Sequence, residues 1–130
     1  MTDPKKILVV EDDIDINRAL AYRLRASGYE VSTASDGLLG LCSAVRDQPD
    51  LMILDIALPT GDGFSIVERL RTSTKVGDIP FIVLTASRMP ELRDTAMKLG
   101  AFAFLEKPYD AGILLDRVRA ALRAYSPAKP

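Results

Sequence analysis

The chain has 130 residues, 17 of them Lys or Arg and 18 Asp or Glu, and this length fits a single domain with its own core. With no His and one Cys, the composition excludes a Cys/His zinc site, a disulfide within the chain and catalysis by a Ser–His or Cys–His pair. A net charge of −1 gives no basic field for nucleic acid. No apolar run approaches the roughly 18 residues of a membrane span, and the first residues lack the apolar region of a signal peptide. We therefore expect a cytoplasmic protein that binds neither nucleic acid nor membrane directly.

Five short apolar runs along the chain predict five β-strands. Four of them are almost continuously apolar, which is typical of parallel strands covered on both faces. The second run contains Ser32 and Thr33 and therefore predicts an edge strand. The predicted strands comprise residues 7–10, 31–34, 51–54, 81–84 and 102–105.

The stretches between these runs have the spacing of amphipathic helices. In the first, Ile16, Ala19, Leu20 and Leu24 form an apolar stripe at steps of three and four residues, and Gly28 follows as a stop. The other helices begin at acidic or proline residues that suit a helix N-terminus. The predicted helices comprise residues 13–27, 36–47, 62–72, 90–99 and 110–125.

Strict alternation of strand and helix predicts an α/β fold with a parallel sheet covered on both faces. Five units are too few to close an eight-stranded barrel, so we expect an open, doubly wound sheet. Such sheets bind ligands at the carboxyl ends of their strands. We assign residues 1–125 to this domain and residues 126–130 to a tail or the start of a linker.

Polar side chains follow four of the five predicted strands. Glu11 and Asp12 follow the first strand, Asp55 the third, Thr85 the fourth and Lys107 the fifth. Carboxylates suit Mg²⁺, while a lysine and a hydroxyl suit the oxygens of a phosphoryl group. Because Asp55 stands at a strand tip after four apolar residues, it can act as a nucleophile that forms an aspartyl phosphate.

With these residues in place, the sequence resembles the receiver domain of bacterial two-component response regulators. The resemblance extends from Lys5 to about Tyr125, and its motifs occur in the family's order, each near a predicted strand end. The motifs are ILVVEDD at 7–13, Asp36-Gly37, PDLMILDIALPTGDG at 49–63, Leu84-Thr85-Ala86, Gly100-Ala101 and Lys107-Pro108-Tyr109.

The resemblance implies a flavodoxin-like sheet in the strand order 2-1-3-4-5. It also implies that Asp55 accepts a phosphoryl group from a sensor histidine kinase or a phosphotransfer protein. The cofactor would be Mg²⁺, bound by the side chains of Asp12 and Asp55, through water by Glu11 and by the backbone carbonyl of Ala57. Such a domain catalyses only its own phosphorylation and dephosphorylation and is not an enzyme in the usual sense.

The family also implies a switch that follows phosphorylation. Lys107 would contact the phosphoryl group, and the Lys107-Pro108 bond is cis in the family. Thr85 and Phe104 match the pair of residues that rearranges. The surface expected to change comprises the fourth helix, the fifth strand and the fifth helix, through which a homodimer or effector contact would form.

Two stretches depart from the commoner family pattern. Phe102-Ala103 stands where an acidic residue is frequent in the winged-helix transcription-factor subfamily, so a contact on that surface should be more apolar here. Leu39-Gly40 replaces a usual Glu-Ala pair, which we expect only to weaken the second helix. The single cysteine, Cys42, is interpreted as a small buried hydrophobic residue.

Two other function classes remain as alternatives. A phosphatase resembling the haloacid dehalogenases would use the same aspartyl nucleophile, but it needs an acid two residues later, where Ala57 stands. A receiver-like module could also bind partners without being phosphorylated. The complete set of Asp12, Asp55, Thr85 and Lys107 argues against that alternative.

Overall fold

A computed structural model of the chain describes residues 3–56, 63–72 and 77–125, in which five strands alternate with five helices. The strands are β1 (Lys6–Val10), β2 (Glu30–Ala34), β3 (Leu51–Asp55), β4 (Phe81–Thr85) and β5 (Ala103–Glu106). The helices are α1 (Ile14–Ala26), α2 (Gly37–Asp47), α3 (Gly63–Arg71), α4 (Pro90–Lys98) and α5 (Ala111–Ala124).

The strands form one parallel sheet in the order β2-β1-β3-β4-β5, which confirms the predicted fold class and the edge position of β2. Val10 is in register with Leu54, and Asp55 with Leu84. This register brings the ends of β1, β3 and β4 to the same level of the sheet. The residues that follow those strands are therefore neighbours in space.

Each face of the sheet has its own apolar core, which explains why the strands show no alternation of polar residues. Ile7, Val9 and Ile53 face one core, to which α1 and α5 contribute. Leu8 and Leu54 face the other, to which α2, α3 and α4 contribute. Because both sides of a strand are covered, burial of apolar area favours a continuous apolar run.

Aspartates cap the N-termini of three helices, which explains why α1, α2 and α5 each begin one residue later than predicted. The side chain of Asp13 accepts hydrogen bonds from two backbone N–H groups of α1. Asp36 accepts one from the first turn of α2, and Asp110 one from the first turn of α5. Such a capping residue satisfies an N–H group that has no partner inside the helix, and the helix proper begins after it.

Two predictions about helix faces are wrong. The periodicity puts Ala19 on the apolar stripe of α1, but Ala19 is exposed, and Asn17 and Ala21 are buried on that helix instead. Cys42 is exposed rather than buried. In both cases the side chain's class suited burial, but the orientation of the helix on the sheet decided which side faces the core.

Gly40 has a packing role that the sequence did not indicate. A Cβ atom at this position would lie 2.9 Å from Cγ2 of Val10 and 3.1 Å from its Cγ1. Gly40 therefore allows α2 to approach β1 more closely than a larger residue would permit. The expectation that it only weakens the helix is corrected.

No helix in the described parts of the chain is both long enough and apolar enough to cross a membrane.

Candidate functional site

The polar residues predicted at the strand ends lie together at the carboxyl edge of the sheet. Glu11 directly follows β1, and Asp55 and Thr85 are the last residues of β3 and β4. All three are buried, with exposed fractions of 3%, 6% and 0%, whereas Asp12 beside them is exposed. The carboxyl edge of the sheet therefore holds a cluster of buried polar groups, and Asp12 is the member of the cluster that contacts solvent.

Lys107 joins two of the buried carboxylates. Its Nζ donates a hydrogen bond to Asp55 Oδ2 at 3.0 Å and another to Glu11 Oε1. The backbone N–H of Lys107 also donates to the carbonyl oxygen of Thr85 at 2.8 Å, which fixes the start of its side chain. The Lys107–Pro108 peptide bond is cis. The ammonium group thus lies between β1 and β3 although it comes from the far edge of the sheet.

Burial and hydrogen bonding act on these charges in opposite directions. Burial raises the pKa of Glu11, and the hydrogen bonds from Lys107 and from the Asp13 N–H only partly offset this rise. Burial lowers the pKa of Lys107, but its bonds to Glu11 and Asp55 outweigh that effect, so the pKa lies above its usual range. Lys107 is therefore a stable cation at neutral pH.

Three carboxylates at this edge could hold a metal ion. One oxygen from each of Glu11, Asp12 and Asp55 lies within 4.8 Å of the others. With Lys107 as the neighbouring cation, three carboxylates and one ammonium leave a formal charge of −2. Oxygen donors, this charge and the exposure of Asp12 all suit Mg²⁺, which keeps part of its water shell. Ala57, the proposed carbonyl ligand, lies outside the described residues.

The hydroxyl of Thr85 is oriented by its own loop. Its Oγ1 accepts a hydrogen bond from the Ser87 N–H at 3.1 Å. Since a hydroxyl has one hydrogen and two lone pairs, the hydrogen remains available for an acceptor in the site. No described residue takes it.

Phe104, the other residue of the predicted switch pair, is buried. It lies opposite Val83 in the register of β4 and β5, in the apolar core on the side of α2, α3 and α4. Leu92 of α4 packs against the same core. The ring therefore shares an apolar core with the helix that follows Thr85.

Sequence reasoning missed Asn17. This buried amide donates from Nδ2 to the carbonyl oxygens of Glu11 at 2.9 Å and Ala34 at 3.3 Å. It thereby ties α1 to the ends of β1 and β2, directly behind the acidic cluster. An amide three residues before Leu20 on the buried side of α1 was the available signal, because a buried amide needs partners.

Two hollows that are open to solvent flank the cluster. One, of about 550 Å³, lies between α1 and α2 and reaches Glu11 and Asp12. The other, of about 440 Å³, lies between α1 and the loop that holds Lys107 and Tyr109. Burial raises the pKa of Tyr109, which is therefore a neutral wall of that hollow.

Comparisons of the sequence and of the structure with known proteins agree on one family. Residues 7–119 match the family model of the response regulator receiver domain. The chain is 41% identical to the DNA-binding dual master transcriptional regulator RpaA of Synechocystis, over 91% of this chain and 49% of that protein. It is 42% identical to the transcriptional regulatory protein PrrA of Mycobacterium tuberculosis, over 95% and 52% respectively. The chain thus spans about half the length of these curated relatives.

Solved structures show the same architecture. A putative response regulator from Chloroflexus aurantiacus superimposes with a TM-score of 0.87 at 32% identity, covering 92% of this chain and 98% of that one. The chemotaxis response regulator CheY4 of Vibrio cholerae gives a TM-score of 0.83 at 31% identity, covering 91% and 98%. The chain belongs to the family of response regulator receiver domains.

Proposed function

We propose that this domain is a phosphoryl-accepting switch in which Asp55 receives the phosphoryl group of a sensor histidine kinase or phosphotransfer protein. The observation that carries this proposal is the contact of Lys107 with buried Asp55 and Glu11, beside exposed Asp12. A purely structural ion pair would not need a third carboxylate open to solvent. We place this relay in the cytoplasm.

The transfer forms one bond and breaks one. A carboxylate oxygen of Asp55 attacks the phosphorus, and the phosphorus–nitrogen bond to the donor imidazole breaks, with the electron pair remaining on the nitrogen. Asp12 and Asp55 would bind Mg²⁺ directly, Glu11 through water and Ala57 through its carbonyl. The ion would offset negative charge on the phosphoryl oxygens.

Lys107 and Thr85 serve the phosphoryl group in this proposal. Lys107 stays protonated, because its carboxylate partners raise its pKa, and it neutralises part of the charge in the transition state. Thr85 donates its free hydroxyl hydrogen to a phosphoryl oxygen. The backbone N–H of Lys107 donates to the carbonyl oxygen of Thr85, so the two side chains extend from neighbouring points of the backbone.

Movement of Thr85 toward the phosphoryl group is the step that would transmit phosphorylation to the surface of the domain. It would change the packing of the loop that leads to α4, the helix that shares an apolar core with Phe104. A population shift between two packings then changes the surface of α4, β5 and α5. A homodimer or effector contact on that surface would detect the shift.

Replacement of Asp55 by Asn tests the phosphoryl acceptor. Incubation with acetyl phosphate and Mg²⁺, followed by intact-protein mass spectrometry, should add one phosphoryl group to the wild type and none to Asp55→Asn. The matched control is Asp50→Asn, at the other end of β3, which should be labelled like the wild type. Full labelling of Asp55→Asn would contradict the assignment. Rapid turnover without accumulation would favour the phosphatase alternative instead.

Amide chemical shifts with and without beryllofluoride test the switch. The wild type should show changes in the pocket and also along α4, β5 and α5. Thr85→Ala should still bind beryllofluoride, but its distant changes should be much smaller because the donated hydrogen bond is lost. Changes confined to the pocket in the wild type would contradict the switch, while leaving the role of Asp55 intact.

A further inference from the structure

The helix α2 has an apolar surface on the side that faces away from the sheet. Leu38 and Val45 are 59% and 43% exposed, and Cys42 is exposed between them. These three residues, which we name the outer face of α2, are spaced at i, i+4 and i+7 and therefore lie on one side of the helix. Gly40 and Ala44 are buried on the opposite side.

The solvent-facing side of α2 is apolar, whereas an ordinary surface helix is polar on that side. Its one hydroxyl residue, Ser43, is buried, while Leu38, Cys42 and Val45 face solvent. By contrast, the last helix α5 exposes Asp116, Arg117 and Arg119. A clustered apolar surface of this kind marks a contact with another molecule.

We propose that the outer face of α2 pairs with the same face of a second copy of this chain, with the two helices antiparallel. The sequence of the face is self-complementary about a two-fold axis between positions 41 and 42. Such an axis places Leu38 of each copy against Val45 of the other, with the two Cys42 residues close to the axis. This is the isologous arrangement of symmetric dimers.

The charges at the ends of α2 also favour a second copy of this chain in the antiparallel orientation. Arg46 lies at the C-terminal end of α2, and Asp36 caps its N-terminus. In the antiparallel pairing, the end of α2 that carries Arg46 lies beside the end of the other copy's α2 that Asp36 caps, and opposite ends of the helix dipoles meet. A parallel pairing would instead bring Arg46 against Arg46. The present partner of Arg46 is Asp47 on its own helix, an exposed pair of the kind that contributes little to stability.

The area of the outer face of α2 determines how tightly the two copies are expected to bind. A single helix face buries less than the roughly 1,200 Å² typical of stable complexes, so the dimer should be weak and depend on concentration. This dimer through α2 is distinct from a dimer or effector contact through α4, β5 and α5. The inference does not require Asp55 to be phosphorylated.

The single cysteine makes the pairing directly measurable. A short bismaleimide linker should join two copies through Cys42, because each thiol adds across one maleimide double bond without an oxidant. Val45→Asp should reduce the cross-linked dimer by about tenfold or more, because a charge would face Leu38 of the other copy. Sedimentation of the wild type should show a concentration-dependent dimer that this variant loses. Since Val45 is exposed, circular dichroism of the variant should match the wild type.

Two controls separate this face from chance contacts and from the other surface. Met97→Asp makes the same kind of change at an exposed residue of α4 and should leave the cross-linking unchanged. Cys42→Ser combined with Met97→Cys moves the only thiol to α4 and should give little cross-linked dimer. A monomer at all concentrations without Cys42 cross-linking would overturn the proposal. A dimer lost with Met97→Asp but retained with Val45→Asp would overturn it as well.

Discussion

The two ends of β3 place the same residue type in opposite environments. Asp50, just before the strand, is exposed and accepts a hydrogen bond from the backbone N–H of Lys6 at 2.8 Å. Asp55, the last residue of the strand, is buried and accepts one from Nζ of Lys107 at 3.0 Å. At the first end an aspartate is a local link between two strands. At the carboxyl end, the aspartate is a buried charge, and the free energy of burying it depends on the groups that pair with it.

The fold itself produces this difference. In a sheet of this type each helix begins after the carboxyl end of a strand, so helix N-termini with free N–H groups gather at that edge. Carboxylates are favoured there, and loops from several strands enclose them. The amino edge receives helix C-termini instead, which offer anions no such stabilisation. The comparison therefore predicts large effects of substitution at one end and small effects at the other.

The largest stability effect is expected for Lys107→Met. Without the ammonium group, two buried carboxylates lose their neutralising partner, which should lower the free energy of unfolding by about 2–4 kcal/mol. Urea denaturation in the presence of EDTA measures this loss. The matched control, Lys6→Met at exposed Lys6, should change the same quantity by less than about 0.5 kcal/mol. Equal losses in the two variants would contradict the comparison.

A second prediction concerns stabilisation by Mg²⁺. At an ion concentration about ten times the Kd, binding to the folded state should add about 1.4 kcal/mol to the free energy of unfolding. Asp12→Ala should abolish most of this gain, while its own stability without the ion should not fall, since the substitution relieves carboxylate repulsion. Thermal unfolding with and without MgCl₂ measures both quantities. A gain in Asp12→Ala as large as in the wild type would show that the ion binds elsewhere.

The smallest effect is expected at the amino edge. Asp50→Ala removes the hydrogen bond to the Lys6 N–H, where water can replace it, so the loss should be about 0.5–1 kcal/mol. Phosphorylation by acetyl phosphate should be unchanged, because Asp50 lies at the other end of the strand. A strong loss of labelling in a folded Asp50→Ala would mean that the two ends of β3 are coupled.

The sequence by itself determined the order of elements and the edge of the sheet at which the candidate site lies. Continuous apolar runs predict strands buried on both faces, and acidic or proline residues mark helix starts, because these are local consequences of burial and capping. Parallel strands share a carboxyl edge, so the placement of Asp55, Thr85 and Lys107 at that edge also followed from the pattern. The strand order came from the family resemblance rather than from the pattern.

Only the tertiary structure decided which partners these residues have. Lys107 contacts Glu11 and Asp55, which precede it by 96 and 52 residues, and Asn17 links the ends of β1 and β2. No local pattern encodes such contacts.

Ala19 is exposed because periodicity defines a stripe, whereas the rotation of the helix on the sheet decides which edge of that stripe is buried. Cys42 is exposed because the residue type alone does not say which side of α2 faces the sheet. Gly40 is explained by the close approach of α2 to β1, since a steric limit exists only once two elements are packed together.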